Sequence, residues 1–214
     1  MVQKVEPLLK VLQGQPVIPV VAVESADGAV KLARALAAGG LPAIEITLRT
    51  PAALDAIRAV AKEVPEAIVG AGTILTRDHF HKAEGAGARF IVSPGGTPEL
   101  LDAAEASSCP LLPGAASPSE LMAMMERGYS VLKFFPAEQL GGAPFLKALA
   151  PVFPTVRFCP TGGISTTNVG DYLSLPNVVC VGGSWVAPKA ALDSGDYDEV
   201  TRLSREAAGL KRQA

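Results

Sequence analysis

The chain has 214 residues, a formal net charge of −2 and a hydrophobic fraction of 49%, one domain's worth of sequence with ample material for one large core. No basic run exists beyond the Lys211-Arg212 tail, which argues against nucleic acid as a partner, because phosphate neutralisation needs clustered Lys and Arg. No segment approaches the roughly eighteen uninterrupted apolar residues of a membrane span, and the opening MVQKVEPLLKVLQGQP has too short an apolar run for a signal peptide and includes Glu6.

In chain order, an N-terminal helix is predicted over residues 5–13, followed by a strand-like run at 17–23 and a helical pattern at 26–38. Strand 43–47 then precedes helix 51–63, and strand 67–71 precedes a helix carrying His79 and His81. Strand 90–93 leads to helix 97–106, strand 110–112 to helix 118–127, and strand 131–134 to helix 142–149. Strand 156–159, helix 166–173 and strand 178–181 complete the alternation. Thr50-Pro51, Thr97-Pro98 and Ser117-Pro118 each read as a capping residue before a proline at the first helical position.

About eight apolar strands alternating with helices imply a parallel sheet covered by helices, hence an α/β fold. A closed barrel and an open doubly wound sheet both fit. The even spacing, and the lack of a dinucleotide fingerprint after the first strand, favour a single-domain (β/α)8 TIM barrel over residues 1–214 with an extra N-terminal helix at its bottom. The chain is short for such a barrel, which typically needs about 250 residues. Cys109, Cys159 and Cys180 are odd in number and widely spaced, so they read as buried apolar residues of a reducing, cytoplasmic setting.

Strand ends in this sequence are rich in small and turn-forming residues: Gly70-Ala71-Gly72-Thr73, Ser93-Pro94-Gly95-Gly96, Pro113-Gly114, Thr161-Gly162-Gly163 and Gly182-Gly183-Ser184. Glycine merely ends many strands, but five such ends on one rim point to a binding face at the strand C-termini. The last two loops, with Thr161, Gly162, Gly163, Gly183 and Ser184, follow the seventh and eighth strands, where such barrels commonly hold phosphate. Pro94 joins the candidate substrate-binding set from the fourth loop.

Lys133 lies inside the apolar strand Val131-Leu132-Lys133-Phe134-Phe135. Alternation puts Val131, Lys133 and Phe135 on one face. A lysine at a strand end can snorkel to solvent. One pointing into a barrel is instead poorly solvated, and the neutral amine is the form that attacks a carbonyl carbon. Glu45, Thr47 and Arg49 alternate with Ile44, Ile46 and Leu48, so a carboxylate and a hydroxyl share the inner face of the second strand. A structural Glu45–Arg49 ion pair is the bland reading, yet buried ion pairs are weak stabilisers. A Glu beside an inward Lys is a natural proton shuttle, and Arg49 offers a fork for a substrate carboxylate. Thr73 adds a hydroxyl on the same rim. His79 and His81 sit two apart and do not share a helix face, so they read as surface residues and a metal-dependent mechanism is disfavoured. Trp185 reads as packing.

The strings Glu45-Ile46-Thr47-Leu48-Arg49-Thr50, Gly70-Ala71-Gly72-Thr73, Lys133-Phe134-Phe135-Pro136-Ala137-Glu138, Phe158-Cys159-Pro160-Thr161-Gly162-Gly163-Ile164 and Gly182-Gly183-Ser184-Trp185 together resemble the class I aldolases acting on 2-dehydro-3-deoxy-phosphogluconate (KDPG aldolases). The similarity runs from about Pro16 to Gly209. The resemblance implies a homotrimer of (β/α)8 barrels that needs no cofactor. It implies cleavage of 2-dehydro-3-deoxy-6-phosphogluconate to pyruvate and glyceraldehyde 3-phosphate, and of 4-hydroxy-2-oxoglutarate to pyruvate and glyoxylate. Lys133 would be the Schiff-base lysine and Glu45 the general acid/base, with Arg49 and Thr73 on the pyruvate half. Two departures are Gly96, where a larger apolar residue is expected, and Ala115-Ala116 after Pro113-Gly114. Rival readings are an aldolase for the C4 epimer 2-dehydro-3-deoxy-6-phosphogalactonate, a phosphate-binding barrel isomerase or synthase without a Schiff base, and a sugar-phosphate-binding module.

Overall fold

A computed structural model describes residues 3–211; the outermost residues of the 1–214 span, including Arg212 of the basic tail, lie outside the described residues. The strands are β1 (Val17–Val21), β2 (Ala43–Thr47), β3 (Ile68–Gly72), β4 (Ile91–Val92), β5 (Leu111–Leu112), β6 (Val131–Phe134), β7 (Arg157–Pro160) and β8 (Val181–Gly183). The helices are α1 (Val5–Leu12), α2 (Ala26–Ala38), α3 (Ala53–Glu63), α4 (Arg77–Gly85), α5 (Pro98–Ala106), α6 (Pro118–Glu126), α7 (Gly142–Leu149), α8 (Val169–Leu173), α9 (Lys189–Ser194) and α10 (Tyr197–Ala208), with a 3-10 turn at Glu138–Leu140. All strand pairs are parallel. Six strands run in the order β5-β4-β3-β2-β1-β8, and β6 pairs with β7. The two sheets meet at both seams through isolated bridges, Gly114 to Lys133 on one side and Phe158 to Val178 and Thr161 to Gly182 on the other. The result is a curled parallel sheet with helices on its outside.

Alternation along the strands sorts side chains between an outer and an inner layer. Ile44 and Ile46 of β2 and Leu132 and Phe134 of β6 join the apolar layer beneath the helices. Ile18, Phe90, Val92, Leu112, Val131 and Cys159 fill a second cluster inside the curl. Gly70 is what admits Phe90 there: a Cβ on Gly70 would lie 2.4 Å from the phenyl ring. Leu8 and Leu12 of α1 belong to the same cluster as Ala43 and Val131, the first residues of β2 and β6, so the N-terminal helix covers the N-terminal ends of the strands. Among the described residues no helix is long and apolar enough to cross a membrane.

Several boundaries differ from expectation for identifiable reasons. Ser117 and Thr97 cap α6 and α5 as predicted. Thr50 does not cap α3; its hydroxyl donates to the Val23 carbonyl at 2.6 Å, tying two rim loops together, and α3 begins at Ala53. β8 starts later than predicted. Between the bridges, β7 advances three residues (158 to 161) while the last strand advances four (178 to 182), and Val179 and Cys180 both face inward. That extra residue is a bulge, which breaks the period of two. Two buried glutamines were not singled out by pattern. Gln15 donates to the Val17 and Ala43 carbonyls and accepts from Ala43 N–H, while Gln3 bonds both the carbonyl and the N–H of Val131. α9 and α10 also lie outside the predicted helices. α10 packs closely on α2, where a Cβ on Gly39 would come 2.3 Å from Ser204. All three cysteines are buried, as expected, and none forms a disulfide.

Because Phe90 is fully buried inside the curl, Phe90→Ala is expected to reduce unfolding free energy by about 3–5 kcal/mol, read from urea denaturation. A loss below about 1 kcal/mol would show that the inner layer collapses to fill the void.

Candidate active site

Packing on the outer face of β6 decides where Lys133 points. Phe134 is buried and stacks on Phe145 of α7 with ring centroids 5.5 Å apart, and it meets Phe158 edge-on at 6.5 Å. With Phe134 held outward, Lys133 is directed into the curl and is only 5% exposed. Ile44 and Ile46 act the same way on β2, turning Glu45 inward at 3% exposure. The Lys133 Nζ and Glu45 Oε1 then lie 3.4 Å apart, an ion pair joining opposite parts of the sheet. The ammonium also sits 5.3 Å from the centroid of the Phe135 ring. The structure therefore answers the snorkelling alternative: Lys133 is not at the surface, and Glu45 pairs with it and not with Arg49.

Glycine makes room for the carboxylate. Gly72 is the last residue of β3, beside Thr47 in the register, and a Cβ there would fall 2.0 Å from Glu45 Oε1. Thr47 itself turns inward, and its hydroxyl donates to the Val21 carbonyl at 3.0 Å. One residue beyond Gly72, Thr73 has φ of +60°, which only glycine otherwise adopts among the described residues. Such a conformation costs on the order of 1–3 kcal/mol and concentrates at functional sites. It brings the Thr73 hydroxyl to 3.4 Å from Nε of Arg49, an exposed residue at the rim.

A cavity of about 360 Å³ opens over Lys133, lined by Val20, Arg49, Thr73, Pro94, Lys133, Phe135, Thr161, Gly162, Gly163, Ile164, Gly182, Gly183 and Ser184. Of the residues given a catalytic or substrate-binding role from sequence, only Glu45 is absent from this lining; it reaches the cavity through its contact with Lys133. Phe135 and Val20 follow from the alternation that places Lys133 and Ile18 inward. Ile164 and Gly182 adjoin the predicted loops but carry no signal of their own. Gly162 and Gly163 adopt φ of +106° and +76°, so neither position tolerates a side chain without strain. Outside the helices and strand ladders, the N–H groups of Gly163, Ile164 and Ser184 make no backbone hydrogen bond among the described residues. An adjoining cavity of about 650 Å³ shares Val20, Arg49 and Ser184 and is otherwise lined by the β1–α2 and β8–α9 loops and the helices they lead into, with Trp185 and Tyr197.

The remaining residues fall away from the site. His81 is exposed and 3.9 Å from Glu84; His79 is half-buried, not a surface residue as expected, and its buried Nδ1 has no partner among the described residues. Neither lines the cavity. Among the described residues no group of three or more His, Cys, Asp or Glu is placed to hold a metal ion. Trp185 packs against the outer core, and its ring occupies the space beside Gly183. The small size of Gly96 is compensated: a Cβ there would lie 2.5 Å from the Met124 methyl, so Met124 fills the room of a larger residue.

Comparison with known proteins agrees with this geometry. Residues 8–203 match the family model described as KDPG and KHG aldolase. A KHG/KDPG aldolase of Escherichia coli is 54% identical over 197 residues, covering 92% of each chain. A 2-dehydro-3-deoxy-phosphogluconate aldolase of Pseudoalteromonas atlantica is 52% identical over 192 residues, covering 90% of this chain and 89% of the relative. Among solved structures, a KDPG aldolase of Legionella pneumophila with pyruvate captured at low pH as a covalent carbinolamine intermediate superposes with a TM-score of 0.93 at 47% identity, covering 96% of this chain and all of that one.

Because Gly72 alone leaves space for the Glu45 carboxylate, Gly72→Ala is expected to open the Lys133–Glu45 pair beyond about 4 Å in a crystal structure of the variant. A carboxylate still at contact distance in a folded variant would show that the strand, and not the glycine, sets its position.

Proposed function

The chain belongs to the KDPG and KHG aldolase family, and on that premise we propose that it cleaves 2-dehydro-3-deoxy-6-phosphogluconate to pyruvate and glyceraldehyde 3-phosphate, and 4-hydroxy-2-oxoglutarate to pyruvate and glyoxylate, through a Schiff base on Lys133. The observation that carries the reading is the buried amine of Lys133 at 3.4 Å from the Glu45 carboxylate, beside a cavity that reaches the rim. The covalent pyruvate adduct of the Legionella relative supports imine chemistry in this family.

Lys133 passes its ammonium proton to Glu45 and attacks the C2 ketone as the neutral amine; Glu45 returns that proton to the carbinolamine hydroxyl, which leaves as water, so a protonated imine remains beside an ionised Glu45. That cation accepts the electron pair of the C3–C4 bond once Glu45, directly or through a water, removes the proton of the C4 hydroxyl. The aldehyde departs. The enamine takes a proton at C3 from Glu45, and water hydrolyses the imine to release pyruvate. Arg49 and Thr73 bind the carboxylate, and the left-handed backbone at Thr73 directs its hydroxyl towards Arg49. Pro94 and Thr161 line the sides of the cavity. The backbone N–H groups near Gly162, Gly163, Gly183 and Ser184 receive the distal phosphate.

Every step is assigned to side chains of the chain itself, so the proposed mechanism needs neither metal nor cofactor. The curled parallel sheet with bridged seams supports a closed (β/α)8 barrel, and the inner and outer apolar clusters, which run from Val5 to Leu210, support one domain over residues 1–214. The homotrimer rests on the family resemblance, and the cytoplasmic setting on the odd, widely spaced cysteines.

Incubation with pyruvate followed by borohydride is expected to leave a reduced adduct on Lys133, located by peptide mass mapping. Absence of the adduct in folded protein able to bind pyruvate would end the aldolase reading in favour of an isomerase or synthase. A charge test of the phosphate end belongs at Ser184, since any side chain at Gly183 would strike Trp185. Ser184→Asp is expected to raise KM for the phosphorylated substrate by about tenfold more than for 4-hydroxy-2-oxoglutarate. An equal change on both would remove the phosphate from this loop.

A further inference from the structure

The turn after β7 carries two glycines in left-handed conformations and is followed by α8, a helix of only five residues, Val169–Leu173. So short a helix has little stability of its own, and the turn must be held from elsewhere. Two ties do this. On one side, the Asn168 amide accepts from Ser165 N–H at 2.8 Å and donates to the Gly163 carbonyl at 3.1 Å. On the other, the segment after β6 lies behind the turn: Ala137 N–H donates to the Thr161 carbonyl at 2.9 Å and Glu138 N–H to the Gly162 carbonyl at 3.1 Å. Those bonds orient the peptide units whose neighbouring N–H groups line the cavity.

Glu138 does more than lend its backbone. Its aliphatic stem lies against Gly163, where a Cβ would come within 2.6 Å of Cγ. Its carboxylate lies elsewhere, near the start of α7: a Cβ on Gly142 would be 3.1 Å from Oε1 and 3.3 Å from the Tyr172 hydroxyl. Tyr172, on α8 and 1% exposed, donates a short hydrogen bond to that Oε1. Burial, reinforced by the Glu138 hydrogen bond and charge, holds the Tyr172 hydroxyl above its ordinary pKa, so it remains a donor at neutral pH. The contact fixes α8, and with it the far end of the turn, to the segment that follows the lysine strand. It also draws a carboxylate towards a helix N-terminus, which favours negative charge, and away from the amides of Gly162–Ile164.

We infer that the Glu138–Tyr172 contact is a positioning element for substrate preference: it sets the glycine turn in the conformation that receives a phosphate and keeps the Glu138 charge off that turn. The inference rests on the phosphate end proposed above. Neither residue lines the cavity, so the contact acts through the turn and not on the reacting carbons.

The test is steady-state kinetics of Tyr172→Phe, Glu138→Ala and Glu138→Gln on the phosphorylated substrate and on 4-hydroxy-2-oxoglutarate. Tyr172→Phe keeps the buried ring and removes only the donor. It and Glu138→Ala are expected to raise KM for the phosphorylated substrate about tenfold more than for 4-hydroxy-2-oxoglutarate, with kcat affected less than KM. Glu138→Gln retains an acceptor for Tyr172 and is expected to recover most of the preference. If Ser184→Asp shows the phosphate-selective effect while Tyr172→Phe and Glu138→Ala change both substrates equally or not at all, the positioning role is wrong and the phosphate site stands. If Ser184→Asp is itself unselective, the phosphate site fails and this inference fails with it.

Discussion

One ammonium and one carboxylate in contact inside a parallel sheet is the constraint from which the upper half of this molecule follows. Removing each charge from water costs several kcal/mol even after relaxation, and a well-packed apolar pair of similar volume would be at least as stable. Lys133 and Glu45 are both almost fully buried, with 3.4 Å between them. Stability therefore gives no reason for the pair, and chemistry does. Its neighbours are correspondingly small: Gly72 vacates the volume the carboxylate occupies, and Gly182 does the same for Thr161, whose hydroxyl would lie 2.2 Å from an added Cβ.

Below that polar level the curl is filled by apolar side chains, and its end is covered by α1. The two levels have different physical tasks. The lower one buries Ile18, Phe90, Val92 and Leu112 and supplies the hydrophobic free energy that the upper one forgoes. Gln3 and Gln15 belong to this division as well. They satisfy backbone groups of Val17, Ala43, Leu111 and Val131, the first residues of four strands, where the ladders begin. A stiff floor lets reacting side chains sit on strands and not on loops, which is the more precise placement.

Most of the site was legible from a period of two. In β2 and β6 every second residue is a large apolar group that must face the helices, and this alone turns Glu45 and Lys133 inward. The rim was legible from its glycines. What pattern could not show was anything set by contacts between distant segments. Thr50 has the sequence signature of a cap, but the Val23 carbonyl competes for its hydroxyl and wins. The bulge before β8 shifts that strand because Val179 and Cys180 both find room inside the curl. Thr73 shows no sign in sequence of its left-handed backbone, since that conformation is imposed by its surroundings. Glu138 lay within a quoted motif, yet its partner Tyr172 is 34 residues away, and no local spacing connects them.

The charges along the cavity bear on how one site could serve two substrates. Arg49 and Lys133 are the charged residues among its lining. Both stand where the proposed keto acid reacts, and the opposite end near Gly163 and Ser184 presents only backbone dipoles and a hydroxyl. The amides of this turn carry no net charge, and because Gly163 and Ser184 are open to water, solvent can take the place of the phosphate oxygens when the shorter substrate binds. On the proposed reading, tolerance of an unphosphorylated substrate then follows from building the phosphate end out of backbone. The cost is that recognition depends on geometry, and a glycine turn holds its geometry only when something outside it does the holding.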